Sequence, residues 1–561
     1  MTPRARSALL TSIALALAVL FTLYLRQSRS VVVGSDGGSI ALQGWDILHG
    51  NLLLHGWAMS DVSFYPTELP QYAMFEWLRG LSPDVVHLGG AMTYTTVLLL
   101  AGLAAKGGTP QERASGRDAA VRVLIAVGIM LSPAAGSGTS TLLLTPDHLG
   151  SAVPVLLAWL VVDRCPPRAY VPAAVGALLT WGVLADPLVE ITGVAPLVLV
   201  CAIRSAQWAH PRPPVPRRAR QREYQLAGRP PQPQLAPAPA PVAEEPGPTT
   251  PRWFEPSLAL AAIAAVAAAA LISALIRAAG GFALRSVGTR AAGLATLPNH
   301  LFLVGQGIAM LFGASFGRGQ QVNLLFSSLH LAGLALFASA FCVTLRRLFR
   351  HEDLMASALA VAIALNVLLY AHGNYVKDLL SSREITEVLP FGAVLAGRVM
   401  AGPVLAARFM GRTALVPVLG AVLAGYAVVL AVYAAQPPVP ADNQDLAGWL
   451  AGHHLTGGLS ASYWLANSVT VDSGGRAQVR QVSIGSRRLT RPNGGWGYAR
   501  PWYQPSSHYA DFVVTSAAPG TAAWRTVLNS ARNTFGSPTR TYTYRQYTVL
   551  VWGGNLLCRL G

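Results

Sequence analysis

Eleven apolar runs constrain this chain more than any other feature of its 561 residues. They cover 7–25, 85–105, 120–137, 149–163, 170–185, 188–203, 256–277, 324–345, 354–371, 388–406 and 413–435. A helix takes about 20 residues to cross a bilayer's hydrocarbon core, and the backbone there must satisfy its own hydrogen bonds. The runs therefore predict a mainly α fold, a polytopic membrane helical bundle of about 11 spans. Composition agrees: 12% of residues are charged, against ~25% in soluble domains.

Lys and Arg total 42 against 25 Asp and Glu. This excess is no nucleic-acid footprint, because it sits in short segments between the runs, as orientation in a membrane requires. With the N-terminus cytoplasmic and strict alternation, the inside segments are 106–119, 164–169, 204–255, 346–353 and 407–412. They carry Lys106, Arg113, Arg117, Arg164, Arg168, a dense arginine run, then Arg346, Arg347, Arg350, Arg408 and Arg412. Arg26 and Arg29 fall on the other side, against the trend. The reading is a multi-pass plasma-membrane protein with residues 34–83, 372–387 and everything after about 436 outside. Arg4 and Arg6 before the first run also fit a cleavable signal peptide. No convincing small-x-small site follows, so a retained span is predicted.

Four parts result: an N-terminal membrane part (1–203) with a first external loop at 34–84, a cytoplasmic linker (204–255), a second membrane part (256–435) and an external domain (441–561). The linker, with PRPPVPRRARQREYQ and PPQPQLAPAPAPVAEEPGP, is too rich in proline for a helix or central strand. A spacer is the simpler role, and an SH3-type ligand the alternative. LFLVGQGIAMLFGASF, between 278 and 323, is predicted as a re-entrant or interfacial helix, since a further span would reverse the arginine-rich 346–353 segment. In the last part ASYWLANSVTVDS, AQVRQVSI, ADFVVTS and RTYTYRQYTVLVWG read as strands. WRTVLNSARNTFG reads as a helix capped by Gly536. This is a small α+β domain, and with Cys558 its lone cysteine it has no internal disulfide to support it.

Chemistry is expected to begin in the first loop, whose fifty or so residues are long for a mere connection. It holds Asp36, Asp46, His49, His55, Asp61 and Glu68. SIALQGWDILHGN has helical spacing, with Ile40, Trp45 and Leu48 on one side and Asp46 and His49 sharing a face, as in an interfacial helix. Asp36 precedes it on what reads as a flexible, close-packing turn before Gly37 and Gly38. SFYPTELPQYAMFEWLRGLSP then places prolines around Glu68 and adds an aromatic-rich helix. Asp61 and Glu68 can help to hold a divalent ion or an acceptor, but no Asp-x-Asp pair defines a metal site. Each of these acids can equally serve only to solvate the loop. Asp147, His148 and Asp186 fall at outward span ends, as functional candidates or as simple helix caps.

A first span, an acidic residue, a juxtamembrane helix ending in His49-Gly50-Asn51, a Tyr65-Pro66…Leu69-Pro70 segment and a second helix resemble the GT-C glycosyltransferase superfamily. That group includes protein O-mannosyltransferase-like and aminoarabinose-transferase-like enzymes. VKDLLSSREITEVLPFGAVLAGR (376–398) is similar to the Arg-Tyr…Leu-Pro segment that opens a late span there, with Glu384 in place of the aromatic after Arg383. The resemblance implies transfer of a sugar from a polyprenyl-phosphate donor to a polysaccharide, lipid or protein acceptor on the outer face. It implies Asp36 as the catalytic carboxylate that takes the proton of the attacking hydroxyl. Lys377 and Arg383 stand in the right loop to meet the leaving phosphate, within one sugar's length of the base, about 5–8 Å. Asp46, His49, His55, Asp61 and Glu68 are the remaining substrate-binding candidates. The lipid-linked sugar is a substrate, no cofactor is required by the sequence, and a divalent metal is compatible with it.

Two other classes make different demands. A lipid-sugar flippase or transporter calls for repeat symmetry and charges at mid-membrane depth, whereas the span centres here are nearly free of charge. A non-catalytic envelope-binding protein would act through its external domain and tolerate loss of Asp36. In that domain Trp464, Trp496, Trp502, Tyr503, Trp524 and Trp552 can stack on sugar rings or fill the core, and core is the simpler reading.

Overall fold

The computed structural model describes residues 3–107, 116–144, 148–209, 251–285, 290–315, 324–348, 353–406 and 415–561. The N-terminal half contains α1 (Pro3–Ser28), α2 (Ser35–Leu48), α3 (Leu69–Arg79), α4 (Asp84–Lys106), α5 (Gly116–Met130), α6 (Ser137–Thr139), α7 (Ala152–Arg164), α8 (Tyr170–Ala185) and α9 (Ala195–Ala209). The expected linker 204–255 begins and ends in helix, and its residues 210–250 lie outside the described residues. After it come α10 (Phe254–Ala278), α11 (Leu297–Leu311), α12 (Leu324–Arg347), α13 (Leu354–His372), α14 (Val388–Ala406) and α15 (Leu415–Ala434).

Each apolar run contains a helix among the described residues. Among the described residues seven helices are long and apolar enough to cross a membrane, and Tyr170–Ala185 and Gly420–Ala434 are shorter apolar helices. α5 and α7, with 15 and 13 residues, account for the other two runs. α11 also has only 15 residues, short of the ~20 needed to span. It packs at the Asp36 end of the bundle, with His300 Nδ1 3.0 Å from Ala371 O.

α1 buries only its last turn. There the hydroxyl of Tyr24 donates to Leu131 O at 2.9 Å, and Gln27 Nε2 donates to Pro133 O and Thr139 Oγ1 at the same distance. Arg29, the residue that broke the charge asymmetry, donates from Nε and Nη2 to the two carboxylate oxygens of Asp84 at 2.7 and 2.9 Å. Asp84, at the mouth of α4, also pairs with Arg79 Nη1 at 3.0 Å, so one carboxylate serves two guanidiniums there. At the opposite end Arg398 of α14 is buried between Asp163 and Asp353, each 2.8 Å away. Its Nη1 also donates to Ala104 O at 3.0 Å. One guanidinium thus ties together the ends of α4, α7, α13 and α14. Arg204 and Glu255, paired at 2.7 Å, bring the two ends of the linker together on that same face.

The last part folds around a five-stranded mixed sheet in the order β3-β2-β7-β9-β8. Here β1 is Trp57–Ala58 of the first loop, followed by β2 (Gly457–Ser460), β3 (Gln478–Gln481), β4 (Ser483–Gly485), β5 (Arg488–Thr490), β6 (Tyr498–Ala499), β7 (Phe512–Thr515), β8 (Arg540–Tyr544) and β9 (Tyr547–Val551). Its helices are α16 (Gln444–Gly452), α17 (Tyr463–Asp472) and α18 (Ala522–Phe535). α18 ends as expected at Gly536, whose φ of +84° suits glycine. The expected strand over 461–473 is instead α17. It joins β2 to the parallel β3, a connection that needs a crossover and cannot be made by a hairpin. Its β-branched and hydroxyl residues are absorbed by burial and back-bonding, as when Thr470 Oγ1 donates to Ala466 O at 3.0 Å. β1 pairs antiparallel with β6, so the domain is stitched directly to the first loop.

Candidate functional site

Asp36 lies in the first turn of α2, not on the flexible turn expected from its glycines. The helix begins at Ser35 because Ser35 Oγ anchors it, donating to Tyr463 O at 3.1 Å and Trp464 O at 2.7 Å. Gly37 is required for close approach: a Cβ there would lie 2.8 Å from Val86 Cγ1 of α4. An acidic residue in the first turn is favoured by the helix dipole. Both carboxylate oxygens of Asp36 are engaged. Oδ2 accepts from Arg383 Nη1 at 3.2 Å and Oδ1 accepts from the Tyr463 hydroxyl at 2.7 Å. Arg383 thus makes a direct ion pair with Asp36, closer than one sugar's length. Tyr463, contributed by α17, carried no signal in the sequence.

A second group of charges adjoins the first. Glu384 lies with one oxygen 3.7 Å from Arg383 Nε and the other 2.9 Å from His148 Nε2. His148 Nδ1 is 2.7 Å from Asp186 Oδ2. Burial works against the imidazolium, but carboxylates on both ring nitrogens hold its pKa well above the ordinary histidine value. Burial likewise opposes ionisation of Glu384, and the charge and hydrogen bond of His148, helped by Arg383, more than offset it and keep the carboxyl below its usual range. His148 occupies the left-handed region, φ +50°, which non-glycine residues rarely adopt. Its ring is held in place from both sides. Glu384 is therefore the residue that connects Arg383 to the His148–Asp186 pair. Asp147 lies outside the described residues.

Glu387 and Glu68 border this group as buried acids. Glu387 accepts from Ser151 Oγ at 2.8 Å, and burial pushes its carboxyl up to about 7. Glu68 accepts from the Thr67 hydroxyl and lies against Gly150, where a Cβ would collide with its Oε1. Burial pushes Glu68 up to about 8. Between its ordinary 4.5 and about 8 the folded protein holds a proton that the unfolded chain releases, so stability falls as pH rises through that window. Glu68→Gln is expected to shrink the drop in Tm between pH 5 and pH 8.5, measured by thermal unfolding in detergent. An equal or steeper drop would show that Glu68 titrates freely.

The remaining candidates divide. Asp61 is exposed, within electrostatic reach of His148, Glu384 and Asp186, and so joins the site. Asp46 does not: its Oδ2 accepts from Asn51 Nδ2 and Trp57 Nε1, each at 2.7 Å, closing the turn after α2. His49 Nδ1 lies 2.7 Å from Trp45 O on the same helix. His55 Nδ1 lies 2.8 Å from Gly280 O, fastening the loop to the end of α10. Lys377 is exposed on a turn where its backbone N–H donates to Ser381 Oγ at 3.3 Å. Among the described residues no group of three His, Cys, Asp or Glu side chains is arranged to hold a metal ion. His148, Asp186 and Glu384 are committed to one another.

No family model matches the sequence, and no curated protein matches it. Two solved structures are similar over nearly all of the chain. The oligosaccharyltransferase of Archaeoglobus fulgidus, in complex with zinc and sulfate, is 12% identical over 92% of this chain and 70% of its own, at a TM-score of 0.47. ArnT of Cupriavidus metallidurans, bound to undecaprenyl phosphate, is 14% identical over 98% of both chains, at a TM-score of 0.51. At such identity the likeness to ArnT is one of fold. The chain shares the overall fold of ArnT, a bundle of apolar helices with a small α+β domain at its C-terminal end.

Proposed function

We propose that this protein is a membrane glycosyltransferase that moves a sugar from a polyprenyl-phosphate donor to an acceptor on the outer face, with Asp36 as base. The observation that carries this reading is the carboxylate of Asp36 held at the bundle's rim between Arg383 and Tyr463. An inverting transfer needs a base for the attacking hydroxyl and a cation for the departing phosphate, and Asp36 and Arg383 supply both. The same pair suggests an order of events. A guanidinium carries five N–H donors, so a donor phosphate that binds Arg383 competes with Asp36 for its charge and loosens the hold on Oδ2. The acceptor hydroxyl then gives its proton to Asp36 as its oxygen bonds to C1. The C1–O bond to phosphate breaks, and the electron pair leaves with the polyprenyl phosphate. Exposed Lys377, in the same loop as Arg383, is proposed as a second cation for that phosphate. The ArnT structure, bound to undecaprenyl phosphate, supports this donor class.

The test is direct. Purified protein in nanodiscs is incubated with undecaprenyl-phosphate sugars, and release of undecaprenyl phosphate is followed. Arg383→Ala is expected to weaken binding of undecaprenyl phosphate itself by about tenfold or more, the usual effect of removing a charge-assisted bond. Failure of the parent protein both to bind this lipid and to turn over any such donor would overturn the assignment. The orientation has its own test. With Cys165, Cys201, Cys342 and Cys558 first changed to Ser, and with the linker cytoplasmic and 441–561 outside, Gln546→Cys is expected to react with an impermeant thiol reagent in whole cells and Gln234→Cys is not. Labelling of Gln234→Cys from outside would sink this topology.

A further inference from the structure

The aromatic residues of the C-terminal domain separate into two groups. Tyr503 and Trp552 are buried, and the Trp552 indole donates to Gly536 O at 3.1 Å. Trp524 packs on the same core and donates to Thr548 Oγ1 at 2.9 Å. Trp502 meets Trp57 edge-on at 5.0 Å, with the Arg480 guanidinium 5.3 Å from its ring centre. These four build the domain and fasten it to the first loop. Trp464 and Trp496 do neither, and remain 64% and 41% exposed.

Both exposed indoles lie one side chain away from Asp36, across Tyr463. Their rings flank Tyr463 at centroid distances of 5.4 and 6.2 Å, and Tyr463 donates to Asp36. The Trp464 carbonyl accepts from Ser35, the neighbour of Asp36. Trp496 lies on a loop in which Gly494, Gly495 and Gly497 all have positive φ, a course open mainly to glycine. Gly497 seats this loop so closely that a Cβ would lie 2.8 Å from both Ser39 Oγ and the Tyr463 ring. Two large apolar faces are thus fixed by backbone contacts at the mouth of a polar site. Beneath this turn lie the buried side chains of Ser39 and Asn467, and beyond Tyr463 lies the Asp36–Arg383 ion pair. A flat indole with a polar rim suits the C–H face of a sugar ring, and the partly exposed Asp36–Arg383 ion pair makes this a poor place for an acyl chain.

We propose that Trp464 and Trp496 form a carbohydrate subsite for the acceptor, stacking on a ring of an acceptor glycan so that one of its hydroxyls faces Asp36. This rests on the transferase reading and narrows the acceptor from lipid, protein or polysaccharide to a glycan. The test needs no turnover. Binding of tri- to pentasaccharides of mannose, glucose, galactose and arabinose to the full chain in nanodiscs is followed by saturation-transfer NMR, with the Asp36→Asn variant run alongside. At least one series is expected to bind both proteins. The Trp464→Ala/Trp496→Ala double variant is expected to lose about tenfold or more in affinity, as two aromatic contacts of ordinary strength would give. The corresponding Phe variant should keep most of it. No binding by the parent, equal binding by the double Ala variant, or preference for unglycosylated peptides would each overturn the subsite. So would quenching of these two indoles by brominated lipid, which would make them membrane anchors. Any of these leaves donor turnover untouched, whereas lost turnover with intact glycan binding would count against the transferase reading alone.

Discussion

Asp36→Asn is expected to lower sugar transfer by about 10²–10⁴-fold, the usual contribution of a positioned general base, with donor binding largely retained. Asparagine keeps the size and can still accept from Tyr463, so the turn of α2 should survive. It loses the charge that holds Arg383, and undecaprenyl phosphate should therefore bind as well or somewhat better. That combination, slower transfer with unweakened lipid binding, is not what a merely structural acid would give. Asp46→Asn provides the control, because Asp46 closes a turn with Asn51 and Trp57 and should cost far less activity. Near-parental transfer by Asp36→Asn alongside a collapse in Asp46→Asn would move the base to the far end of α2.

Arg398→Met should be the most destabilising single change at the other end of the bundle. Its side chain is 2% exposed between Asp163, at 6%, and Asp353. Removing one partner of a buried ionic group leaves charge uncompensated and typically costs about 3–5 kcal/mol. Here two carboxylates and the Ala104 carbonyl lose their donor together. Asp353 has a second duty, accepting from Ala356 N at 3.0 Å through Oδ1 as the cap of α13, while its Oδ2 takes Arg398. The expected readout is an earlier midpoint in SDS unfolding, partly restored by adding Asp163→Leu, which removes the stranded carboxylate. An unchanged midpoint in Arg398→Met would show that water reaches this triad and that it holds little of the bundle together.

The membrane bundle was legible in the sequence because the information is local: an apolar run long enough to cross lipid has few alternatives to a helix. The same holds for α18 with its terminal glycine and for the two helices of the first loop. Asp36 and Arg383 were legible as single residues, through spacing and resemblance, but not as a pair. They are 347 residues apart, and Asp36 and Tyr463 are 427 apart. No periodicity reports a contact of that span. Glu384 read as a departure from a pattern, and only its position between Arg383 and His148 gives it a partner. Asp46 and His49 share a helical face, as their spacing required, yet bond back to their own loop and helix. α17 was missed because β-branched and hydroxyl residues prefer strands only as a weak average. A parallel β2–β3 connection demands a helix whatever those residues prefer. Local propensity and hydrophobic length thus determined the elements. Which charges meet was decided by packing, since a buried charge is tolerated only where the fold delivers its partner.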